Sequence, residues 1–194
     1  MSIKDRDKKK KLEEMSLEEL WELFPIILSP QDACWKEWAV YEISHLQAVL
    51  KDMNVAIYHI GSTAIKDIWA KPIIDLLLEI EEREDFSDIK SELLSAGYIC
   101  MAESNDRMSF NKGYTPNGFA EKVFHLHLRR KGDNDEIYFR NYMNRHSDIA
   151  KEYEQLKLSL WKRFEHDRDG YTNAKSEFVK FYTDKAKSEA SKFQ

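Results

Sequence analysis

Residues 58–79, YHIGSTAIKDIWAKPIIDLLLE, constrain the fold more than any other stretch. An apolar run over residues 55–60 stops at Gly61-Ser62. A second run, over residues 73–78, starts after Pro72 and contains one acid, Asp75. The pattern reads as strand, tight turn, short helix, proline, strand. Gly61 lets the backbone turn with no Cβ in the way. Ser62 stands where a helix over residues 63–70 begins and is a natural N-cap. A helix N-terminus at a glycine turn is an anion site. Asp75 follows thirteen residues after Ser62, in a strand able to run beside the first. The spacing predicts a phosphate cradle facing a metal-binding carboxylate across one cleft. An acid among Ile73, Ile74, Leu76 and Leu77 is expensive to bury without a partner.

The residues His59-Ile60-Gly61-Ser62-Thr63-Ala64, Ala70-Lys71-Pro72-Ile73-Ile74-Asp75 and His125-Leu126-His127 resemble the GrpB family of the nucleotidyltransferase superfamily. Segments 139–142, 153–157 and 171–175 extend the resemblance, which covers residues 30–182. It implies a Gly-Ser turn that holds triphosphate and carboxylates on the following strand that hold divalent metal. The chain departs from the family at Lys66-Asp67, where Pro-Gly is usual. It departs from the superfamily at Leu77, where an acid is expected two residues after Asp75.

Two-metal chemistry needs more than one carboxylate. Glu79 shares the strand face of Asp75, but four residues of strand separate them by roughly 13 Å, too far to share an ion. Three readings remain open. Asp75 and substrate phosphates hold one Mg²⁺ or Mn²⁺. Asp75, His125 and His127 form a mixed metal site, since imidazole suits Mn²⁺, Zn²⁺ or Fe²⁺. Or the pocket binds a nucleotide with no metal. His125 and His127 fall on one face of an alternating segment, residues 122–130, where histidine is also able to move a proton. His59 either touches ligand or bonds nearby backbone. By the resemblance, Arg140 and Lys175 are phosphate clamps, and Tyr171 shares a helix face with Lys175.

The expected architecture is α+β: a nucleotidyltransferase-like mixed sheet of about five strands, flanking helices and a C-terminal helical part. Residues 1–15 are expected as a disordered tail and residues 16–194 as one domain, helical from about 135. The tail is rich in Lys and Asp. Ser16 and Glu19 form a capping box for a helix that docks through Leu17, Leu20, Trp21 and Phe24. Asp32 caps a helix over residues 33–51, and the last helix turns Phe178, Phe181 and Tyr182 inward.

With 30 Lys and Arg against 35 Asp and Glu, the net charge is -5, so general nucleic-acid binding is not expected. Cys34 and Cys100 have no metal spacing, which makes a reducing cytoplasm the default. No run approaches the length of a membrane span. The expected function is transfer of a nucleotidyl or phosphoryl group from a nucleoside triphosphate to a small acceptor. A non-catalytic binding protein for a phosphate-containing small molecule and a metal-dependent hydrolase are the alternatives.

Overall fold

The computed structural model describes residues 10–193, so residues 1–9, most of the expected tail, lie outside the described residues. Leu12–Glu14 is a turn of 3-10 helix, and Lys10 pairs with Glu19 at 2.6 Å. The capping box forms as expected: Ser16 Oγ accepts the Glu19 N–H, and Glu19 accepts the Ser16 N–H.

Five strands, β1 (Val55–Ile60), β2 (Ile74–Ile80), β3 (Ile99–Glu103), β4 (Arg107–Thr115) and β5 (Gly118–Arg130), form one sheet in the order β1-β2-β5-β4-β3. Only β2 and β5 run parallel; the other neighbours are antiparallel, so the sheet is mixed. Alternation along each strand sorts side chains onto two faces. Leu76, Leu78, Phe110, Phe124, Leu126 and Leu128 pack with α2 (Cys34–Val49) and α3 (Phe86–Ser95) into the main core. The opposite face presents Asp75, His125 and His127. It meets α4 (Asp135–Arg145), α5 (Ser147–Trp161) and α6 (Arg168–Ala190). These three helices share their own core with Ile65 and Ile68, from the segment between β1 and β2.

Three local readings change. The helix expected over residues 63–70 is one 3-10 turn, Ser62–Ala64, and Ser62 is its first residue rather than its cap. The chain extends at Ile65 because Ile65 and Ile68 are both drawn into the helical core. Asp67 takes φ +58°, and its N–H is held by Gln31. Leu17 of α1 (Leu17–Leu23) is 51% exposed and Phe181 is 63% exposed. Of the expected docking residues, Phe24, just beyond the end of α1, is the buried one, and its ring packs at a tilt against Tyr114 and Phe119.

One buried polar group anchors the opposite side of the sheet. The Glu42 carboxylate of α2, 2% exposed, accepts Lys112 Nζ at 2.8 Å and Tyr98 Oη at 2.9 Å. Charged hydrogen bonds of this kind contribute about 1.5–3 kcal/mol. Glu42→Ala is expected to lower unfolding free energy by about that amount in a urea titration; an unchanged midpoint would count against a structural role for Glu42.

Candidate functional site

Strand β1 delivers the chain to Gly61 at φ +70°, ψ -170°, a region that is essentially reserved for glycine. Antiparallel register sets Ile60 opposite Asp75. A Cβ on Gly61 would lie 2.1 Å from Asp75 Oδ2, so the missing side chain is what gives that oxygen its space. His59 Nε2 donates to Thr63 Oγ1 at 2.9 Å, and Thr63 Oγ1 donates to the Ile73 carbonyl at 3.2 Å. His59 therefore ties the turn to the start of β2. Burial pushes it down to about 4 against the pull of Asp75, which keeps it neutral.

Parallel register places His125 beside Asp75 and His127 beside Leu77. His125 Nδ1 lies 3.3 Å from Asp75 Oδ1, and His125 Nε2 lies 2.8 Å from Tyr114 Oη. Burial alone would raise the Asp75 carboxyl. The contact with His125, followed by His127 and Lys71, outweighs burial and holds Asp75 below the usual carboxylate range. Burial pushes His127 down to about 4. An anionic carboxylate thus stands beside a neutral imidazole.

Two cavities meet here, of about 320 and 520 Å³. Both are lined by Ser62, Asp75, His127, Thr172 and Lys175. The smaller also takes Lys71, Lys157 and Arg168 into its wall, and Asp75 is its one carboxylate. Burial, followed by repulsion from Arg168 and Lys175, pushes Lys71 down to about 7. Burial and Lys175 bring Lys157 to about 7, and burial brings Lys175 to about 8. Aromatic rings carry part of this charge: Lys175 Nζ lies 4.1 Å and Lys71 Nζ 5.5 Å from the Tyr171 ring centre. Tyr171 is 1% exposed, and its hydroxyl is the buried side-chain polar atom left without a hydrogen-bond partner among the described residues. Four basic side chains thus share this wall with one carboxylate, an arrangement whose chemistry suits an anionic ligand.

The family described as GrpB protein matches residues 25–185. This chain belongs to the GrpB family. The Glutamate-rich protein GrpB of Alkalihalophilus pseudofirmus is 36% identical over 160 residues, 79% of this chain and 91% of that protein. The crystal structure of conserved protein GrpB from Enterococcus faecalis matches with a TM-score of 0.73 and 28% identity, over 84% of this chain and 99% of that one. Cid1 poly(U) polymerase with Mg 3′-dATP bound matches at a TM-score of 0.50 and 11% identity. That match covers 81% of this chain and 51% of the polymerase, and it concerns the fold alone. The GrpB-family chain therefore has a nucleotidyltransferase-like fold.

Of the residues singled out in the sequence, Gly61, Ser62, Asp75, His127 and Lys175 line one cavity, and His125 joins Asp75 in the other. Arg140 is a correction. Its guanidinium donates to the His59 carbonyl at 2.6 Å and to Asn141 Oδ1. It fastens α4 to β1 and lines neither cavity. The mixed metal set is a second correction: among the described residues, no three His, Cys, Asp or Glu side chains are placed to hold an ion. Glu79 is spent on the Gly132 N–H and Asn134. Lys71 and Arg168 were not singled out as ligand-facing, whereas Lys157, a candidate clamp in the family-like segment 153–157, lines the smaller cavity with its Nζ bonded to the Trp69 carbonyl. Lys157 had a signal, since it lies four residues after Tyr153 and so shares the buried face of α5. Lys71 and Arg168 reach the cavity through tertiary packing that no local pattern encodes.

Proposed function

We propose that the cleft transfers a nucleotidyl group from a nucleoside triphosphate to a small acceptor. The observation that carries this reading is the joining of Ser62, ionised Asp75 and four basic side chains in one cavity, with Gly61 in the wall of the adjoining one. The triphosphate lies in the basic cavity, where Ser62, Lys71, Arg168 and Lys175 bind its oxygens and orient the reacting phosphorus. The donor set fits Mg²⁺ or Mn²⁺ only when shared with phosphate. Asp75 supplies an anionic oxygen beside a Cβ-free cradle, and these ions accept one carboxylate with substrate oxygens. Such an ion would neutralise charge on the phosphate oxygens. His127, neutral and facing both cavities, takes the acceptor's proton as the acceptor oxygen bonds the α-phosphorus. The bond to the β-phosphate breaks, and pyrophosphate leaves among the basic residues. The acceptor enters from the larger cavity.

Leu77, fully buried where the superfamily carries a second acid, favours a second reading: a protein that binds a phosphorylated small molecule without turning it over. The two readings part in one assay. With α-phosphate-labelled nucleoside triphosphates, Mg²⁺ and a pool of small metabolites, wild type is expected to move label into a new product, and Asp75→Asn is expected not to. Tight nucleotide binding with no labelled product would support the binding protein instead.

A further inference from the structure

We propose that His125 is a positioning residue that fixes the Asp75 carboxylate, with Tyr114 setting its tautomer, and is not a metal ligand. The proposal rests on the reading of Asp75 as the carboxylate that faces a phosphate-bound cation. Both ring nitrogens of His125 are already engaged, Nδ1 with Asp75 Oδ1 at 3.3 Å and Nε2 with Tyr114 Oη at 2.8 Å. A ligating histidine needs one nitrogen free for the ion.

The direction of the chain follows from the Asp75 end. An ionised carboxylate only accepts, so the His125 proton is on Nδ1, which faces Asp75 Oδ1 at 3.3 Å. Nε2 is then the acceptor, and the Tyr114 hydroxyl donates to it at 2.8 Å and holds that tautomer. This occupies Oδ1. Oδ2, in the space beside Gly61, is left for the ligand.

The sheet is built to bring Tyr114 here. On β4, Phe110 and Lys112 face the main core, where Lys112 meets Glu42. Simple alternation would send Tyr114 to that same face. Instead the register shifts between Lys112 and Tyr114. Gly113 lies there at φ +91°, and a Cβ on it would come 2.3 Å from the Lys122 carbonyl. The bulge re-aims Tyr114 to the His125 face, where Phe24 and Phe119 seat its ring at 4.7 and 5.2 Å.

Nitrogen-detected histidine NMR of the ligand-free protein tests the chain directly. Wild type is expected to show His125 protonated at Nδ1, and Tyr114→Phe, which keeps the ring, is expected to shift it toward the Nε2 form. A wild-type ring protonated at Nε2 alone overturns the proposal. Binding supplies the second arm. His125→Asn keeps a donor near the Nδ1 position and is expected to hold Mg²⁺–ATP affinity within about threefold of wild type. His125→Leu is expected to lose about tenfold or more, the range for outer partners of metal ligands. Affinity for metal-free pyrophosphate is expected to stay unchanged in both. Equal losses in Asn and Leu, or no loss in either, contradict positioning. If wild-type ATP affinity does not respond to Mg²⁺, the reading of Asp75 as metal-facing fails, and the NMR result alone decides the role of His125.

Discussion

Gly61→Ala is expected to abolish metal-dependent nucleotide binding, with a loss of about 100-fold or more, and to destabilise the fold by about 1–3 kcal/mol. Two causes add. The backbone at φ +70° with ψ -170° excludes a side chain, and the new methyl would sit 2.1 Å from Asp75 Oδ2. Asp75 would have to leave its bond with His125 to make room. Gly97→Ala is the control, because Gly97 has φ +88° with nothing within 4 Å of a built Cβ. It carries the backbone strain without the clash. Chemical denaturation and nucleotide titration are expected to show Gly97→Ala losing stability alone and Gly61→Ala losing both. Equal nucleotide affinity in the two variants would show that the Gly61–Asp75 contact does not shape the site.

Lys71→Met and Lys175→Met are each expected to weaken binding of pyrophosphate or a nucleoside triphosphate by about 10–100-fold, the scale of one charged hydrogen bond. Lys71→Met is also expected to make the ligand-free protein more stable near neutral pH. The reason lies in the direction of the shifts. The lysines stand at about 7, 7 and 8 in the folded state, well below about 10.4 for an unfolded lysine. Their contribution is favourable above the unfolded value and is lost as pH falls toward 7, because the folded state resists protonation. Removing one lysine relieves that penalty. A bound polyanion relieves it another way, by drawing protons onto the lysines. Calorimetry in buffers of different ionisation enthalpy is therefore expected to show net proton uptake on pyrophosphate binding near pH 8, with affinity rising as pH falls from about 10 to 7. A Lys71→Met protein with lower stability and unchanged affinity would mark the lysine as structural.

The sequence carried the fold because its strongest signals are local. The alternation in β5 sorted His125 and His127 from Phe124, Leu126 and Leu128, and the glycine turn with Asp75 downstream announced the mouth of the cleft. Failures came where tertiary packing overrode local pattern. Ile65 and Ile68 left the expected helix to fill a core made by helices more than seventy residues away. Phe181 sat beside Phe178 and Tyr182 in the pattern, yet α6 buries only the latter two. The candidate site was half legible. Asp75 was marked by its cost among apolar neighbours. Lys71 and Arg168 look like surface charges in sequence, and only the arrival of α6, with Tyr171 against Lys71, brings both into one cavity wall. Arg140 matched the chemistry of a clamp, but a guanidinium serves a backbone carbonyl equally well, and the His59 carbonyl was nearer.

The most direct measurement is calorimetric titration of ATP, GTP, CTP and UTP, with and without Mg²⁺, into wild type and Asp75→Asn. At least one triphosphate is expected to bind wild type more tightly with Mg²⁺, and Asp75→Asn is expected to remove that gain while leaving metal-free binding to the lysines intact. Triphosphate binding that ignores both Mg²⁺ and the substitution would contradict Asp75 as the metal-facing carboxylate. Absence of any triphosphate binding to wild type would contradict nucleotide transfer altogether.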